Sequence, residues 1–509
     1  MRRLHLHGDG GDRRTTVAVD GGLTTRRLGC CQRRLALVAT SALLIIGLFW
    51  AAAGAEAAPS PGQVGFSTPT LFPTFGPAIT DYVVRCNNGP VTVQGYTSGG
   101  WEAAIGHHPF RSGDFSEVVP LSAGRAFAII VRDVGRTQLY RYFVRCLPNS
   151  FPNYTYIRYG PVSPRYFSVS RDFTRRALRY GIIFDNHGVP VWWVNTPAWD
   201  TRVLPNGNIL WYGGPPPGSR WETHRLDGSL VRTFHAVGPG ADGHDLQLLG
   251  NGHFLVGAYV NQQHVDTSGY GGSRDATVVN TLLEEVGPSQ GALFWAWKSQ
   301  QHIARSETGR NWPRVIGRSI YGGYDILHWN SIEPAGSSVI ASFRHLDAVY
   351  KIERSAVGRI IWKLGGTRTP DSLQVRNDPR AYTLGAQHDA RLLPDGTVTV
   401  FDNRTYLEQP PRAVRFRIDE QSGTATLLQS ITDSAVSRSG CCGSARRLAN
   451  GDWLIGWGGP SDRIGGYKPN GQRTFSLHMH TSYRAEPVPG GVLSAQAMRQ
   501  GMNAMYGAP

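Results

Sequence analysis

The sequence predicts an all-β protein, and three observations support this prediction. Short apolar runs with alternating polar residues recur along the chain, and many are separated by glycine turns such as LPNG, LGNG, LPDG and LANG. The 509 residues include 62 glycines and 32 prolines, which is typical of a turn-rich β protein. No segment shows a helical periodicity as strong as these strand signals.

Six segments share one register, in which a particular residue stands eight positions before the glycine of the turn. We call this position the slot. Histidine occupies it in three segments, at His244, His328 and His388. The other slots hold Trp199, Gly443 and Tyr483. At the overall frequency of 16 histidines in 509 residues, six slots would hold about 0.2 histidines by chance, so these histidines belong to the repeat.

The repeats predict a six-bladed β-propeller. A strand, a glycine turn and a second strand follow each slot, and most units add a second hairpin, which gives the four strands of a propeller blade. The last unit has only its inner hairpin, whereas an unattached outer-type hairpin stands at residues 180–194. Joining the two completes a sixth blade and closes the ring, which a solenoid of hairpins would not explain. In a closed ring the slot residues converge on the axis.

The chain divides into five predicted regions. Residues 151–509 form the propeller, and residues 80–150 form a small β-sandwich that precedes it. Cys86 and Cys146 end two similar strands, YVVRC and YFVRC, and we expect a disulfide between them. Residues 59–79 are predicted as a linker. The adjacent Cys441 and Cys442 are open to three interpretations: two thiols, a strained vicinal bond, or bridges to other cysteines.

The N-terminus predicts export. Residues 1–34 are a basic n-region, and residues 35–58 contain an apolar run followed by small residues, which fits either a cleaved signal peptide or a signal anchor. The arginine pair before the run favours an N-in orientation in both cases. We therefore expect an extracytoplasmic protein, secreted or held by a single N-terminal anchor.

The charge pattern disfavours a nucleic-acid partner. The chain carries 52 basic and 37 acidic residues, for a net charge of +15. Only four of the basic residues are lysines, and the predicted folded part has no basic cluster interleaved with aromatic residues. The arginine bias is therefore not read as a nucleic-acid surface.

The slot histidines and their neighbours suit two chemistries. His328 and Asn330 are two residues apart, so an alternating strand would point both into the channel. Three neutral imidazoles can bind Zn²⁺ or Cu²⁺, or one imidazole can act as a nucleophile among hydrogen-bond donors. Arg344, on the following strand, opposes a dication and matches the oxygens of a sulfuryl or phosphoryl group. Arg344 therefore favours group transfer over a metal.

These motifs together resemble a known family. A His-Asp inner strand at His244, H-x-N at His328, S-x-R-H-x-D around Arg344 and a later Q-H strand at His388 are similar to the bacterial arylsulfate sulfotransferases. These are cell-envelope enzymes that do not use 3′-phosphoadenosine phosphosulfate. The resemblance covers residues 180–490.

The resemblance implies a function and a site. Aryl sulfates would be the donors and phenols the acceptors, in a ping-pong reaction with no cofactor or metal. His388 would be the transiently sulfurylated nucleophile, with His244 as a second catalytic residue. His328, Asn330 and Arg344 would bind the sulfuryl group. The oligomeric state and the natural substrates are left open.

Other features bear on substrate binding. Four aromatic residues in or near the slots would sandwich aromatic rings or pack between blades: Trp199, Trp329, Tyr324 and Tyr483. The insertions Ser299 to Tyr324 and Thr367 to Leu384 have no counterpart in the family motifs and are expected to shape the pocket mouth.

Three other classes compete with a sulfotransferase of this kind. The alternative is a non-catalytic envelope propeller that binds a ligand, metal or protein. A quinone-cofactor dehydrogenase propeller is weaker, because the sequence has no repeated tryptophan docking motif and no Asp-rich calcium loop. A nucleotide-dependent sulfotransferase is disfavoured because the chain has no Walker-like G-K-[ST] motif.

Overall fold

The structure is a computed structural model, and it describes residues 59–60, 62–171, 180–213, 220–289, 291–459, 461, 463–479 and 482–508. The n-region and the apolar run of residues 35–58 lie outside the described residues, so their role stays a prediction. Among the residues that are described, no helix is both long enough and apolar enough to span a bilayer.

Two sheets lie in the N-terminal part of the described chain. Their strands are β1 (Val64–Ser67), β2 (Asp81–Val84), β3 (Val91–Thr97), β4 (Trp101–Ile105), β5 (Gly113–Val119), β6 (Ala126–Asp133) and β7 (Leu139–Cys146). The strand orders are β1-β3-β5 and β2-β7-β6-β4. Alternate residues of β3 are buried, and both sheets contribute to one hydrophobic cluster that includes Val93 and Ile129. The two sheets therefore enclose a common core.

This region confirms one prediction and corrects another. Cys86 and Cys146 form a disulfide, as the paired VRC strand ends indicated. The predicted linker of residues 59–79 is not a linker throughout, because it contains β1, which pairs with β3. Val64 and Phe66 alternate with more exposed residues and pack into the core, which ties this segment to the sheet.

The remaining strands form six sheets. In chain order they are β8 (Tyr154–Arg158), β9 (Tyr166–Arg171), β10 (Tyr180–Asp185), β11 (Pro190–Asn195), β12 (Trp199–Val203), β13 (Ile209–Gly213), β14 (Arg220–His224), β15 (Leu230–Phe234), β16 (Leu246–Leu248), β17 (Phe254–Val265), β18 (Ala276–Val286), β19 (Leu293–Lys298), β20 (Tyr324–Asp325), β21 (Trp329–Ala335), β22 (Ser338–Phe343), β23 (Ala348–Glu353), β24 (Ile360–Gly365), β25 (Gln374–Arg376), β26 (His388–Leu392), β27 (Thr397–Asp402), β28 (Arg412–Asp419), β29 (Thr424–Ile431), β30 (Ser444–Arg447), β31 (Trp453–Gly456), β32 (Arg463–Tyr467), β33 (Arg473–Met479) and β34 (Ser482–Pro487).

The order of strands within these sheets follows the predicted repeat. The orders are β11-β10-β9-β34, β12-β13-β14-β15, β16-β17-β18-β19 with β20 beside β18, β21-β22-β23-β24, β25-β29-β28-β27-β26, and β30-β31-β32-β33-β8. Helices are few: α1 (Trp312–Gly317), α2 (Ala495–Tyr506), and the 3₁₀ segments Ser268–Tyr270, Ser299–Gln301, Arg305–Asn311 and Arg344–Leu346. The described chain is therefore all-β in class, as predicted.

Each of these sheets has one strand that follows or contains a slot, and we call β12, β16, β21, β26, β30 and β34 the inner strands. Contacts run from β16 to β21, from β21 to β26, from β26 to β30, from β30 to β34 and from β34 to β12. Arg202 of β12 completes the cycle by donating a hydrogen bond from Nη2 to the carbonyl oxygen of Leu246 on β16 (2.8 Å). The inner strands thus form a closed cycle of contacts.

The end of the chain differs from the predicted hairpin. The inner strand β34 pairs with β9, which comes from before the first repeat and lies between β34 and the hairpin β10-β11. The residues predicted as the return strand instead enter helix α2. Ser494 caps this helix by accepting a hydrogen bond from the amide of Ala497, and Met498 and Met502 bury one face. Capping and i,i+4 methionines thus override the strand pattern.

Buried ion pairs connect the inner strands. Arg484 of β34 is fully buried and reaches Asp200 of β12 (3.1 Å) and Asp389 of β26 (3.6 Å). Arg391 of β26 pairs with Asp389 (2.9 Å) and with Asp245 (2.8 Å), which directly precedes β16. Burial alone would raise the pKa of Asp245, but the guanidinium groups around it outweigh burial and lower the pKa. Each of these buried charges is stabilised by the opposite charges of its neighbours, so removing one leaves the others unpaired.

We predict that Arg484→Met lowers the free energy of unfolding by about 3–5 kcal/mol, because it leaves buried carboxylates without a cation. Chemical denaturation of the chain measures this change. Arg359→Met, which removes an exposed arginine paired with Glu353, is the matched control and should leave the midpoint unchanged. Equal midpoints for all three proteins would show that the buried pairs do not hold the inner strands together.

Candidate active site

The three slot histidines lie at the same end of neighbouring inner strands. His388 begins β26, His328 directly precedes β21, and His244 lies two residues before β16. The ring centroids of His244 and His328 are 5.2 Å apart. The charges of both histidines act on the pKa of His388. The structure therefore brings together the histidines that the repeat register predicted to converge.

The backbone is irregular at the start of the inner strands, and this irregularity orients the histidine side chains. His328 and Asp389 have positive φ angles, of 52° and 58°, and the strand register shifts just after His388 and after Trp329. Such bulges turn a side chain away from the regular alternation of a strand. The alternation argument that paired His328 with Asn330 therefore does not hold at this point.

His388 is buried, and its hydrogen bonds distinguish its two nitrogens. Nδ1 lies 2.8 Å from Oδ1 of Asn403 and 3.1 Å from the carbonyl oxygen of Ala386, so Nδ1 carries the proton. The amide group of Asn403 is oriented by donating to Ser439 and to the carbonyl of Cys442. Nε2 accepts a hydrogen bond from the amide of Cys442 (3.2 Å). The lone pair of His388 is therefore on Nε2.

Burial lowers the pKa of His388 well below its ordinary value, and the positive charge of Arg344 lowers it further. The imidazole is consequently neutral at physiological pH. A neutral imidazole with its lone pair on a defined nitrogen is the form that a nucleophile requires.

His244 and His328 have a different type of partner. Nδ1 of His244 is 2.5 Å from Oδ1 of Asp242, and Nδ1 of His328 is 2.5 Å from Oδ2 of Asp325. Each carboxylate accepts a hydrogen bond from Nδ1–H and leaves Nε2 for proton exchange with a ligand. Burial lowers the pKa of His328 in spite of Asp325. Neither aspartate is predicted by the repeat register, although each precedes its histidine by only two or three residues.

Arg344 lies in the 3₁₀ segment after β22 and is almost fully buried, with 3% exposure. Its Nη2 donates to the carbonyl oxygen of Gly440 (2.9 Å). Within the described residues, no carboxylate lies within ion-pair distance of Arg344. Burial and the nearby Arg314 lower its pKa to about 10, so the guanidinium remains charged at neutral pH. A buried cation beside His388 that lacks an anion is suited to bind an anionic ligand.

Asn330 is buried next to the backbone that carries His388. Its side-chain Nδ2 donates to the main-chain carbonyl oxygen of Gln387 (2.8 Å). Its main-chain carbonyl oxygen accepts a hydrogen bond from Nη2 of Arg484 (2.7 Å). Oδ1 is buried and has no hydrogen-bond partner in the structure. Asn330 therefore links the Arg484 ion pairs to the strand of His388.

Aromatic side chains line the site beside His244. The rings of Trp199 and Tyr483, which occupy two other slots, are 4.7 Å apart, and Trp199 is 5.3 Å from His244. Tyr259 stacks on the partly exposed Tyr321 at 4.2 Å. These rings offer an apolar surface for an aryl group. Two other predicted ring-binding residues, Trp329 and Tyr324, belong to or pack against a hydrophobic core cluster instead.

One cluster of potential metal ligands occurs among the residues that the structure describes, and it consists of Asp325, His328 and His345. It is not the predicted set of three slot histidines. Nδ1 of His345 lies 2.6 Å from the carbonyl oxygen of Asp325, and Nδ1 of His328 contacts the Asp325 carboxylate. These hydrogen bonds account for the arrangement of the three side chains.

Comparison with known proteins identifies the class. Residues 231–480 match the family model described as arylsulfotransferase (ASST), and this match supports assigning the chain to that family. The match includes His244, His328, Asn330, Arg344 and His388. No curated protein matches the chain significantly.

Three solved structures with a distant resemblance to the chain illustrate the structural matches. A putative 6-phosphogluconolactonase from Bacteroides fragilis is 10% identical, with a TM-score of 0.32, and the match covers 76% of this chain and 96% of that chain. A quinonprotein alcohol dehydrogenase-like protein from Bacteroides thetaiotaomicron is 9% identical, with a TM-score of 0.31, and the match covers 83% and 98%. The Dos1 propeller is 10% identical, with a TM-score of 0.29, and the match covers 70% and 80%.

We predict that His388 titrates only below its ordinary pKa of about 6.5, and that Arg344→Gln raises this pKa by removing the nearby positive charge. Burial still lowers the pKa of His388 in this variant, so the pKa does not return fully to its ordinary value. NMR of the chain with isotope-labelled histidine, with His388→Asn to assign the signal, measures both values. Arg415→Gln, outside the site, should leave the His388 signal unchanged. A higher pKa in the wild type than in Arg344→Gln would contradict the assigned electrostatics.

Proposed function

We propose that the protein transfers a sulfuryl group from an aryl sulfate to a phenol by a ping-pong mechanism, through a sulfohistidine on His388. The donor is the aryl sulfate itself, and 3′-phosphoadenosine phosphosulfate takes no part. We further propose that the six sheets are the blades of a six-bladed β-propeller and that the two N-terminal sheets are a β-sandwich. The cycle of inner strands and the core shared by β1–β7 support this architecture.

One observation carries the proposal. A neutral, buried imidazole with its lone pair on Nε2 lies beside Arg344, a buried guanidinium with no carboxylate partner among the described residues. The imidazole supplies a nucleophile, and the guanidinium supplies a two-pronged donor for sulfuryl oxygens. The family assignment agrees with this chemistry.

In the first half-reaction, Nε2 of His388 attacks the sulfur atom. A bond forms between Nε2 and sulfur, and the bond between sulfur and the aryl oxygen breaks. The electron pair of the broken bond leaves with the phenolate, which takes a proton from His244. The Nδ1 proton of His388 stays on the ring, where Asn403 and the Ala386 carbonyl accept its hydrogen bond and stabilise the positive charge of the sulfurylated imidazole.

Charge on the moving group is stabilised by two hydrogen-bond donors. The guanidinium of Arg344 donates to the sulfuryl oxygens. The amide of Cys442 donates to Nε2 of His388 before reaction. Once Nε2 is bonded to sulfur, this amide becomes available to a sulfuryl oxygen.

In the second half-reaction, an acceptor phenol replaces the first product. His244 takes the phenolic proton, the phenolic oxygen attacks sulfur, and the bond between Nε2 and sulfur breaks. Its electron pair returns to His388, which is again neutral. Asp242 orients His244 for both proton transfers. Trp199 and Tyr483 offer one apolar surface that serves donor and acceptor rings in turn.

We also propose that the protein acts outside the cytoplasm. The disulfide between Cys86 and Cys146 supports this location, because such bonds persist in oxidising compartments. The apolar run within residues 35–58 would direct the export.

We predict that the chain releases 4-nitrophenol from 4-nitrophenyl sulfate faster when phenol is present, with parallel-line kinetics in donor and acceptor. His388→Asn should lower kcat to background, and Arg344→Lys should lower it by about 10²-fold or more, because a point charge cannot replace the guanidinium fork. His253→Asn, outside the site, is the control and should retain activity.

Two outcomes would contradict the proposal. Sulfuryl transfer by His388→Asn at the wild-type rate would remove His388 from the mechanism. Absence of turnover in the wild type, together with binding of aryl sulfates, would favour the non-catalytic binding protein.

A further inference from the structure

Most buried arginines in the six-sheet part of the chain have a carboxylate partner. In the described part of residues 151–508, the buried arginines with a carboxylate partner are Arg391, Arg404, Arg412 and Arg484. Arg344 is buried to the same degree and has no such partner. In the described part of residues 151–508, a buried guanidinium without a carboxylate is therefore the exception, and it marks a place for an external anion.

Arg314 is another arginine without a carboxylate partner among the described residues. It lies on α1, within the insertion that runs from Ser299 to Tyr324, and it is half-buried. Its guanidinium carbon lies 4.6 Å from the ring centroid of Tyr406. Nη1 is buried and has no hydrogen-bond partner, and no carboxylate in the described residues is within ion-pair distance. A neighbouring arginine of the insertion, Arg310, is instead paired with Asp347 (2.7 Å).

The insertion is fixed against the segment that carries Arg344. Nδ2 of Asn311 donates to the carbonyl oxygen of His345 (3.0 Å) and to Asp347 (3.1 Å). Arg310 adds two hydrogen bonds to the same aspartate. These contacts bring Arg314 near Arg344, and the positive charge of Arg314 contributes to the lowered pKa of Arg344.

Arg314 is more exposed than Arg344. Tyr406, the ring beneath its guanidinium, is 69% exposed, whereas Arg344 is buried beside His388. Two neighbouring guanidinium groups repel each other, and an anion bound near both relieves this repulsion. A substrate whose sulfuryl group reaches Arg344 would extend its far end toward Arg314.

We propose that Arg314 binds a second anionic group of the substrate, so that the preferred donors and acceptors are aromatic compounds with an additional carboxylate, sulfonate or sulfate group. This inference rests on the proposed function, because it takes Arg344 as the sulfuryl site. The insertion thereby determines specificity: it supplies the second cation without touching the nucleophile.

Binding of unreactive analogues to the full chain tests the inference without relying on turnover. Benzenesulfonate carries one anionic group, and 4-sulfobenzoate carries two. Isothermal titration calorimetry should show that the wild type binds 4-sulfobenzoate at least about tenfold more tightly, as expected for one charge-assisted pair. Arg314→Gln should remove this preference while leaving benzenesulfonate binding unchanged, and Arg314→Lys should retain part of it.

Two further variants separate the possible explanations. Arg318→Gln removes the same charge from an exposed position at the end of α1 and should keep the preference. Arg344→Gln should weaken both ligands. Equal wild-type affinity for the two ligands, or the same loss in Arg318→Gln as in Arg314→Gln, would overturn the role of Arg314 and leave the sulfuryl site intact. Failure of the wild type to bind either ligand would overturn the proposed function as well.

Discussion

Buried charge at the slot end of the inner strands is the constraint on which the site depends. Asp200, Asp245, Asp389 and Arg484 each directly follow a slot residue, and all are fully buried. Their ion pairs join strands that are far apart in the sequence. A strand that shifted by one residue would move both its slot side chain and its charge, and would leave a partner unpaired in the interior. The same interaction therefore fixes the register of the strands and the positions of the histidines.

The hydrogen-bond partner of each histidine supports the different roles that we propose for these three similar side chains. His244 and His328 are held by carboxylates, which suits them to exchange or share protons. His388 is held by the neutral amide of Asn403 and lies near Arg344, so its ring is kept neutral. The proposed nucleophile is thus distinguished by the residues around it rather than by its place in the repeat.

The sequence was informative where the chain is periodic. The register of slot and glycine predicted which histidines meet, and the matching VRC strand ends predicted the disulfide. Partners that lie in loops, such as Asp242 and Asn403, were missed because a loop residue has no periodicity to reveal which side chain it faces. The left-handed backbone at His328 broke the alternation used to place Asn330. Helix α2 was missed because strand-like residues near the end of the last repeat resembled the earlier hairpins.

In the proposed mechanism, His388 carries the sulfuryl group between the two half-reactions. This role is tested by treating the chain with an aryl [³⁵S]sulfate in the absence of an acceptor, digesting it with trypsin, and locating the label. We expect label on the peptide AYTLGAQHDAR, residues 381–391, and its loss when a phenol is added. Label on a peptide that contains His244 or His328 instead, or an active chain that takes up no label, would contradict it.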